Sequence, residues 1–312
     1  MPLVLDRILF PTDFSASAEG AFRHAAWIAD RFGAELHVLH VVEDASRPPR
    51  AWPDVPGSEG LGISLADVSG DLGLPPPEGA RETVEVVATE VVGRTVPEAV
   101  LDYTRDEEVG LIVMGTQGRQ GWRRGVLGSV AEAVARRAPC PVLTVRPLDA
   151  PGRVEWPPSR VLLAIDEVPD DAVPLEAEWA ARLAVAYGAP LEVVHVTFEP
   201  LLASGGFPPA PVARTLAREK LLGLTDRLRA EVGGELPVHV TVRSGSPTDT
   251  IRAVADEVRP HLLVVGSRGK SGPERLFLGS VAGDLVRTAP CPVLVARDGV
   301  TAPVGSGARG QG

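Results

Sequence analysis

Cysteine is nearly absent: Cys140 and Cys291 are the only two in 312 residues. So few thiols in so long a chain exclude a disulfide scaffold and fit a reducing, cytoplasmic compartment. Aromatic residues make up only 4%, which argues against an aromatic-rich sandwich and leaves Val, Leu, Ile and Ala to fill the core. No apolar run approaches the ~18 residues of a membrane span, and the N-terminus lacks the layout of a secretion signal. Neither membrane insertion nor secretion is therefore expected. Positive charge is in deficit, with a net charge of −10, about −8 of it in residues 1–150 (14 basic, 22 acidic). An acidic surface repels phosphate backbones, so nucleic acid is not an expected partner. A small anion remains open as a ligand, because backbone N–H groups and one local cation can hold it. Lysine occurs only as Lys220 and Lys270, a bias that reads as genome composition. The six histidines do not cluster with cysteines or carboxylates at metal-ligand spacing. Nothing supplies a nucleophile triad or a carboxylate pair for hydrolysis.

What the chain does have is a repeat. Residues 138–143 read Ala-Pro-Cys-Pro-Val-Leu, and residues 289–294 read the same, an offset of 151. At that offset Gly115-Thr116-Gln117-Gly118 aligns with Gly266-Ser267-Arg268-Gly269, and Gly128-Ser129-Val130 with Gly279-Ser280-Val281. Asp13 pairs with Asp166 at offset 153, and His40-Val41 with His195-Val196 at 155. A register that drifts by so little marks a duplication. Two domains of roughly 150 residues also match the prior for this length.

Each half alternates strand and helix. The first half predicts strands over Arg7–Pro11, Glu35–Val42, Thr83–Val91, Gly110–Met114 and Pro141–Val145. Helices are predicted over Ser15–Phe32, stopped by Gly33, over Pro97–Glu107 and over Ser129–Arg137. The second half repeats the plan, with strands near 159–165, 191–196, 237–243, 261–265 and 292–296. Short apolar strands between amphipathic helices imply an α/β fold: two tandem open, mostly parallel five-stranded sheets with helices on both faces. The halves differ in one region. Residues 211–233 read as an amphipathic helix, whereas residues 44–80 are rich in Pro and Gly and predict a long loop with at most a short helix near Leu65. The expected layout is domain 1 over 1–146, a proline-stiffened linker over 147–158, domain 2 over 159–297 and a disordered tail over 298–312.

In such a sheet the ligand crevice lies beyond the carboxyl ends of the strands, at a switch in strand order. Asp13 and Asp166 follow the first strand of each half, and the Gly-x-x-Gly loops follow the fourth. Gly115 and Gly118 permit a backbone turn with no Cβ in the way, so N–H groups can approach a polyphosphate. Nine residues later Gly128-Ser129 opens a helix, whose N-terminus adds free N–H groups, a positive dipole end and a hydroxyl. Gly266, Gly269, Gly279 and Ser280 repeat the set. One Gly-x-x-Gly is a weak signal; two copies with identical spacers, both placed between strand and helix, are a strong one.

On these motifs the sequence resembles a tandem universal stress protein of the ATP-binding type, over about 1–146 and 159–297. That resemblance implies a Rossmann-like fold of the adenine nucleotide alpha hydrolase kind, and ATP as ligand, with AMP or ADP as alternatives. It implies Mg or Mn carried on the phosphates. In the first half it places Asp13 and Val41 on adenine, with Pro11 and Thr12 lining base and ribose. Gly115, Gly118, Gly128 and Ser129 would hold phosphates, flanked by Met114 and Val130. The matching positions are Ala164, Ile165, Asp166, Val196, Val265, Gly266, Gly269, Gly279, Ser280 and Val281. The resemblance also suggests that the halves pair as an internal pseudo-dimer through their fifth strands, and that two chains pair as a homodimer.

The second half departs from the family pattern after Asp166, where Glu167, Asp170 and Asp171 are expected to crowd the crevice mouth and repel polyphosphate. The first half is therefore the favoured site. Gly266-Ser267-Arg268-Gly269-Lys270-Ser271 is not a Walker A loop, because position 264 is Val. Lys270, and Arg119 in the same place of the first half, read equally as phosphate contacts and as solvated cations. Cys140 and Cys291 read as buried structural thiols, and His40 and His195 as packing or hydrogen-bonding residues. Three functions follow: a regulatory ATP-binding stress protein with at most slow hydrolysis, a scaffold for an unknown protein partner, and an ATP hydrolase or nucleotidyl transferase.

Overall fold

Strand and helix alternate throughout the computed structural model, which describes residues 4–13, 15, 18–43, 86–92, 95–116, 127–146, 157–197, 210–233, 235–267 and 278–297. The first half runs β1 (Arg7–Pro11), α1 (Glu19–Phe32), β2 (Glu35–Val42), β3 (Val86–Val92), α2 (Val96–Asp106), β4 (Leu111–Gly115), α3 (Ser129–Arg137) and β5 (Val142–Val145). The second runs β6 (Val161–Ile165), α4 (Leu175–Tyr187), β7 (Leu191–Thr197), α5 (Ala210–Val232), β8 (Val238–Ser244), α6 (Pro247–Val258), β9 (Leu262–Gly266), α7 (Ser280–Thr288) and β10 (Val293–Ala296). The amphipathic helix expected over 211–233 is α5. The loop expected over 44–80, most of the linker and the tail from 298 lie outside the described residues.

Local signals account for the boundaries. Helices α1 and α4 stop on Gly33 (φ 68°) and Gly188 (φ 65°), left-handed positions that a residue without a Cβ adopts freely. Helix α2 starts behind Thr95, whose hydroxyl accepts the Glu98 N–H, with Pro97 in its first turn. Helix α1 begins at Glu19, later than the expected Ser15. The Asp13 carboxylate accepts the Ser15 N–H at 3.0 Å, and that side-chain turn competes with helix just after β1.

Along each strand, alternate side chains enter opposite layers. In β4, Leu111 and Val113 enter the layer that holds α1, α4 and α5, whereas Ile112 and Met114 enter the layer that holds α2, α3, α6 and α7. Both faces are covered, which is why these strands read as continuous apolar runs. Each half orders its strands with the third outermost, 3-2-1-4-5, all parallel. The two five-stranded units are not separate. Strands β5 and β10 pair antiparallel, Leu143 opposite Leu294, so that the sheet runs β3-β2-β1-β4-β5-β10-β9-β6-β7-β8. Like edges meeting about a two-fold axis must run in opposite directions, hence the single antiparallel pair.

Paired arginines stitch the seam. Arg297, 8% exposed, follows β10 and donates to the carbonyls of Ala135, Arg136 and Ala138 at the C-terminal end of α3. Its repeat partner Arg146 follows β5 and donates to the Arg287 carbonyl near the end of α7. Each half thus places a cation on the negative end of the other half's last helix.

Candidate functional site

The chain leaves β1 outward to β2 and β3, then returns past β1 to β4, so a crevice opens above the carboxyl ends of β1 and β4. β6 and β9 form its counterpart. Pro11 closes β1, level with Leu39. Thr12 is buried and fastened on both sides to β2: its N–H donates to the Leu39 carbonyl at 2.9 Å, and its carbonyl accepts from His40 Nδ1 at 2.9 Å. A carbonyl only accepts, so this contact puts the ring hydrogen on Nδ1. The latch holds the backbone directly before Asp13. The second half repeats it, with His195 Nδ1 donating to the Ile165 carbonyl at 3.0 Å directly before Asp166. The expected hydrogen-bonding role of both histidines is what the geometry displays.

The loop ends meet. Thr116, 3% exposed, donates its N–H to the Val145 carbonyl at 2.9 Å, and its own carbonyl accepts the Gly128 N–H at 2.7 Å. In the second half Ser267 donates to Ala296 at 2.8 Å and accepts from Gly279 at 2.9 Å. Whatever path residues between them take, the end of β4 and the start of α3 are tied one to the other, and so are β9 and α7. Both helices begin on a glycine N-cap with no side-chain cap, Gly128 (φ −64°, ψ 144°) and Gly279 (φ −59°, ψ 154°). Their first-turn N–H groups have no side-chain acceptor at the N-cap, as Thr95 is for α2. Ser129 and Ser280 stand exposed at the first helical position.

The apolar members gather on one side. Val41, Met114 and Val130 all pack into the layer of α2 and α3, and Val196, Val265 and Val281 into that of α6 and α7. Ala164 joins the same layer, and Ile165 points to the opposite one. Gly115 and Gly266 are the last residues of β4 and β9. The structure therefore brings Pro11, Thr12, Asp13, Val41, Met114, Gly115, Gly128, Ser129 and Val130 to one end of the first half. Gly118, Arg119, Gly269 and Lys270 lie outside the described residues.

The two mouths differ. Asp13 is half-buried and engaged with Ser15, whereas Asp166 is exposed. Of the carboxylates expected to crowd the second mouth, Asp170 turns to helix α5, where Lys220 Nζ lies 2.9 Å away and holds its carboxyl below the usual range. Arg227 of the same helix donates to the Pro169 carbonyl. A further carboxylate, Glu176 in the first turn of α4, lies against Gly266, the last residue of β9. Sequence reasoning passed over it, since one Glu at a helix N-terminus reads as a match to the helix dipole. Thr116 and Ser267 were legible: a hydroxyl residue fills the same slot of both loops. Among the described residues no group of three or more His, Cys, Asp or Glu could hold a metal ion, and no helix is long and apolar enough to cross a membrane.

A family model for the universal stress protein family matches residues 5–146 and again 158–297. This chain belongs to the universal stress protein family. Universal stress protein Rv2005c of Mycobacterium tuberculosis is 28% identical over 306 residues, covering 93% of this chain and 96% of its own length. The crystal structure of a universal stress protein from Archaeoglobus fulgidus shares the fold, with a TM-score of 0.59 and 21% identity, covering 95% of this chain and 98% of that one. Another universal stress protein of that organism, solved in complex with dAMP, is 30% identical over 45% of this chain and 98% of its own (TM-score 0.34).

Proposed function

We propose that this universal stress protein binds ATP in the crevice of its first half, and that the bound nucleotide serves regulation rather than turnover. The observation that carries this reading is the closed loop base: Thr116 joins the end of β4 to Gly128, the bare N-cap of α3. That arrangement offers unpaired N–H groups and a positive helix end to the phosphates. Val41, Met114 and Val130 offer an apolar wall to the base, and the half-buried Asp13 can accept from the adenine amino group. A divalent cation would ride on the phosphates, since the described residues supply no cluster for one. No described residue is placed as nucleophile and base together, so hydrolysis would be slow and incidental.

Calorimetry of the full chain with ATP and Mg is the test. Binding that weakens at least tenfold in Asp13→Ala, with little change in melting temperature, is the expected result. No heat with wild-type protein would overturn the reading. Release of phosphate or pyrophosphate at several turnovers per second would replace it with an enzymatic one.

A further inference from the structure

The two crevices open at opposite ends of one sheet, because β5 and β10 run antiparallel where the halves join. Each crevice is nevertheless level with the far end of the other half's last helix. Helix α3 starts at the first crevice, on Gly128. Its nine residues rise about 14 Å to a C-terminal end whose Ala135, Arg136 and Ala138 carbonyls accept from Arg297. Arg297 directly follows Ala296, and the Ala296 carbonyl accepts the Ser267 N–H at the base of the second loop. Ser267 in turn accepts from Gly279, the N-cap of α7.

The route then returns. The Arg287 carbonyl, in the last turn of α7, accepts from Arg146. Arg146 directly follows Val145, whose carbonyl accepts the Thr116 N–H at the base of the first loop, and Thr116 accepts from Gly128. Two loop bases, two short helices and two arginines thus close a ring, and every link in it is a peptide bond, a helix or a hydrogen bond. The Arg297 links are the firmest kind, charge-assisted and buried at 8% exposure. A helix packed on a dense sheet moves as a rod, so a restraint at one end is felt at the other.

We infer that this ring couples the two crevices: ATP in the first half tightens the loop base of the second. This rests on the nucleotide reading given above and adds a route of regulation to it. Phosphates seated at the start of α3 fix Gly128 and Thr116, α3 carries the restraint to Arg297, and Ser267 receives it through Ala296. Ordering one loop base lowers the entropy cost of ordering the other, so the coupling is positive.

Hydrogen exchange of the full chain, with and without ATP and Mg, reads this effect without requiring the second half to bind anything. The amides of Ser267, Gly279 and Gly283, each donated to a backbone carbonyl, are expected to exchange at least fivefold more slowly with ATP. Those of β7 and β8 should not change. Gly128→Asp, whose carboxylate would take the anion position of the first half, should abolish the response. Arg146→Gln with Arg297→Lys should abolish it while calorimetry still shows ATP bound; if that pair does not fold, Arg146→Gln alone should at least halve it. Unchanged rates at Ser267 and Gly279 with ATP bound overturn the coupling and leave the nucleotide reading intact. Slowing that extends equally to β7 and β8 is stabilisation of the whole fold and overturns it too. So does slowing that persists in Gly128→Asp, which is direct binding in the second half, or that persists undiminished in the arginine variants. A wild-type chain that gives no heat with ATP overturns both readings.

Discussion

His24 Nδ1 stands 2.8 Å from the Tyr187 hydroxyl, linking α1 to α4 across the seam between the halves. Aligned on their terminal glycines, His24 corresponds to Trp179 and Phe32 to Tyr187. The second arm of the same pseudo-two-fold contact is then Phe32 on Trp179, with ring centroids 6.5 Å apart. One arm is a buried polar pair and the other an apolar one. Two copies of the first half, joined in this way, would set His24 against Phe32 and deny it the Tyr187 hydroxyl. The halves have diverged as partners, each fitted to the other.

Acid should weaken this seam. Burial, and secondarily the charge of His261, push the His24 imidazole from 6.5 down to about 3. Between those values the unfolded chain binds a proton that the folded chain refuses. This contribution is therefore complete above pH 6.5 and is lost as pH falls, by up to about 1.4 kcal/mol per pH unit. Denaturant midpoints measured from pH 7 to pH 4 should fall, and His24→Phe should flatten that slope. An equal slope in both proteins would count against the assignment.

The two seam arginines should not weigh the same. Arg297 is buried where it donates to carbonyls of the α3 end, whereas Arg146, which donates to the Arg287 carbonyl, is only half-buried. Removing a buried charge-assisted donor costs about 2–4 kcal/mol. Urea unfolding should show Arg297→Ala losing more stability than Arg146→Ala.

Gly128 offers a trade between stability and binding. Its backbone angles, φ −64° and ψ 144°, suit any L residue, so its conformation does not demand glycine. Asp at this N-cap would accept first-turn N–H groups and stabilise α3 by a few tenths of a kcal/mol. The same carboxylate would occupy the anion position. Gly128→Asp should keep or raise the melting temperature while weakening ATP binding at least tenfold.

Neither thiol should react in the folded chain. Cys140 and Cys291 are buried and free, and burial pushes each thiol up to about 12. Thiolate is the reactive form, and at pH 8 almost none is present. Iodoacetamide with mass detection should label no cysteine in native protein and both in urea.

Much of this architecture is written locally. Gly33 and Gly188 end helices, Thr95 and Pro97 start one, and apolar runs with period-3.6 segments between them mark strands buried on both faces. The loops share their spacing residue for residue, so Gly115, Gly128, Ser129 and their repeats could be named from the chain alone. Even the His40 and His195 contacts were within reach, since the pair recurs at one register.

What the sequence by itself determined, then, is the duplicated α/β plan and the loop signature, because both rest on residues close in the chain or repeated along it. The tertiary structure alone decided the rest. Antiparallel pairing of β5 with β10, which the family resemblance implied, turns two five-stranded units into one sheet, a choice of edge that no strand's own residues specify. His24 meets Tyr187, and Arg297 meets α3, across more than 150 positions. Glu176 reaches Gly266 because parallel strands and their helices bring distant chain to one crevice. Periodicity records which face a residue takes; only packing decides which charge sits beside which glycine.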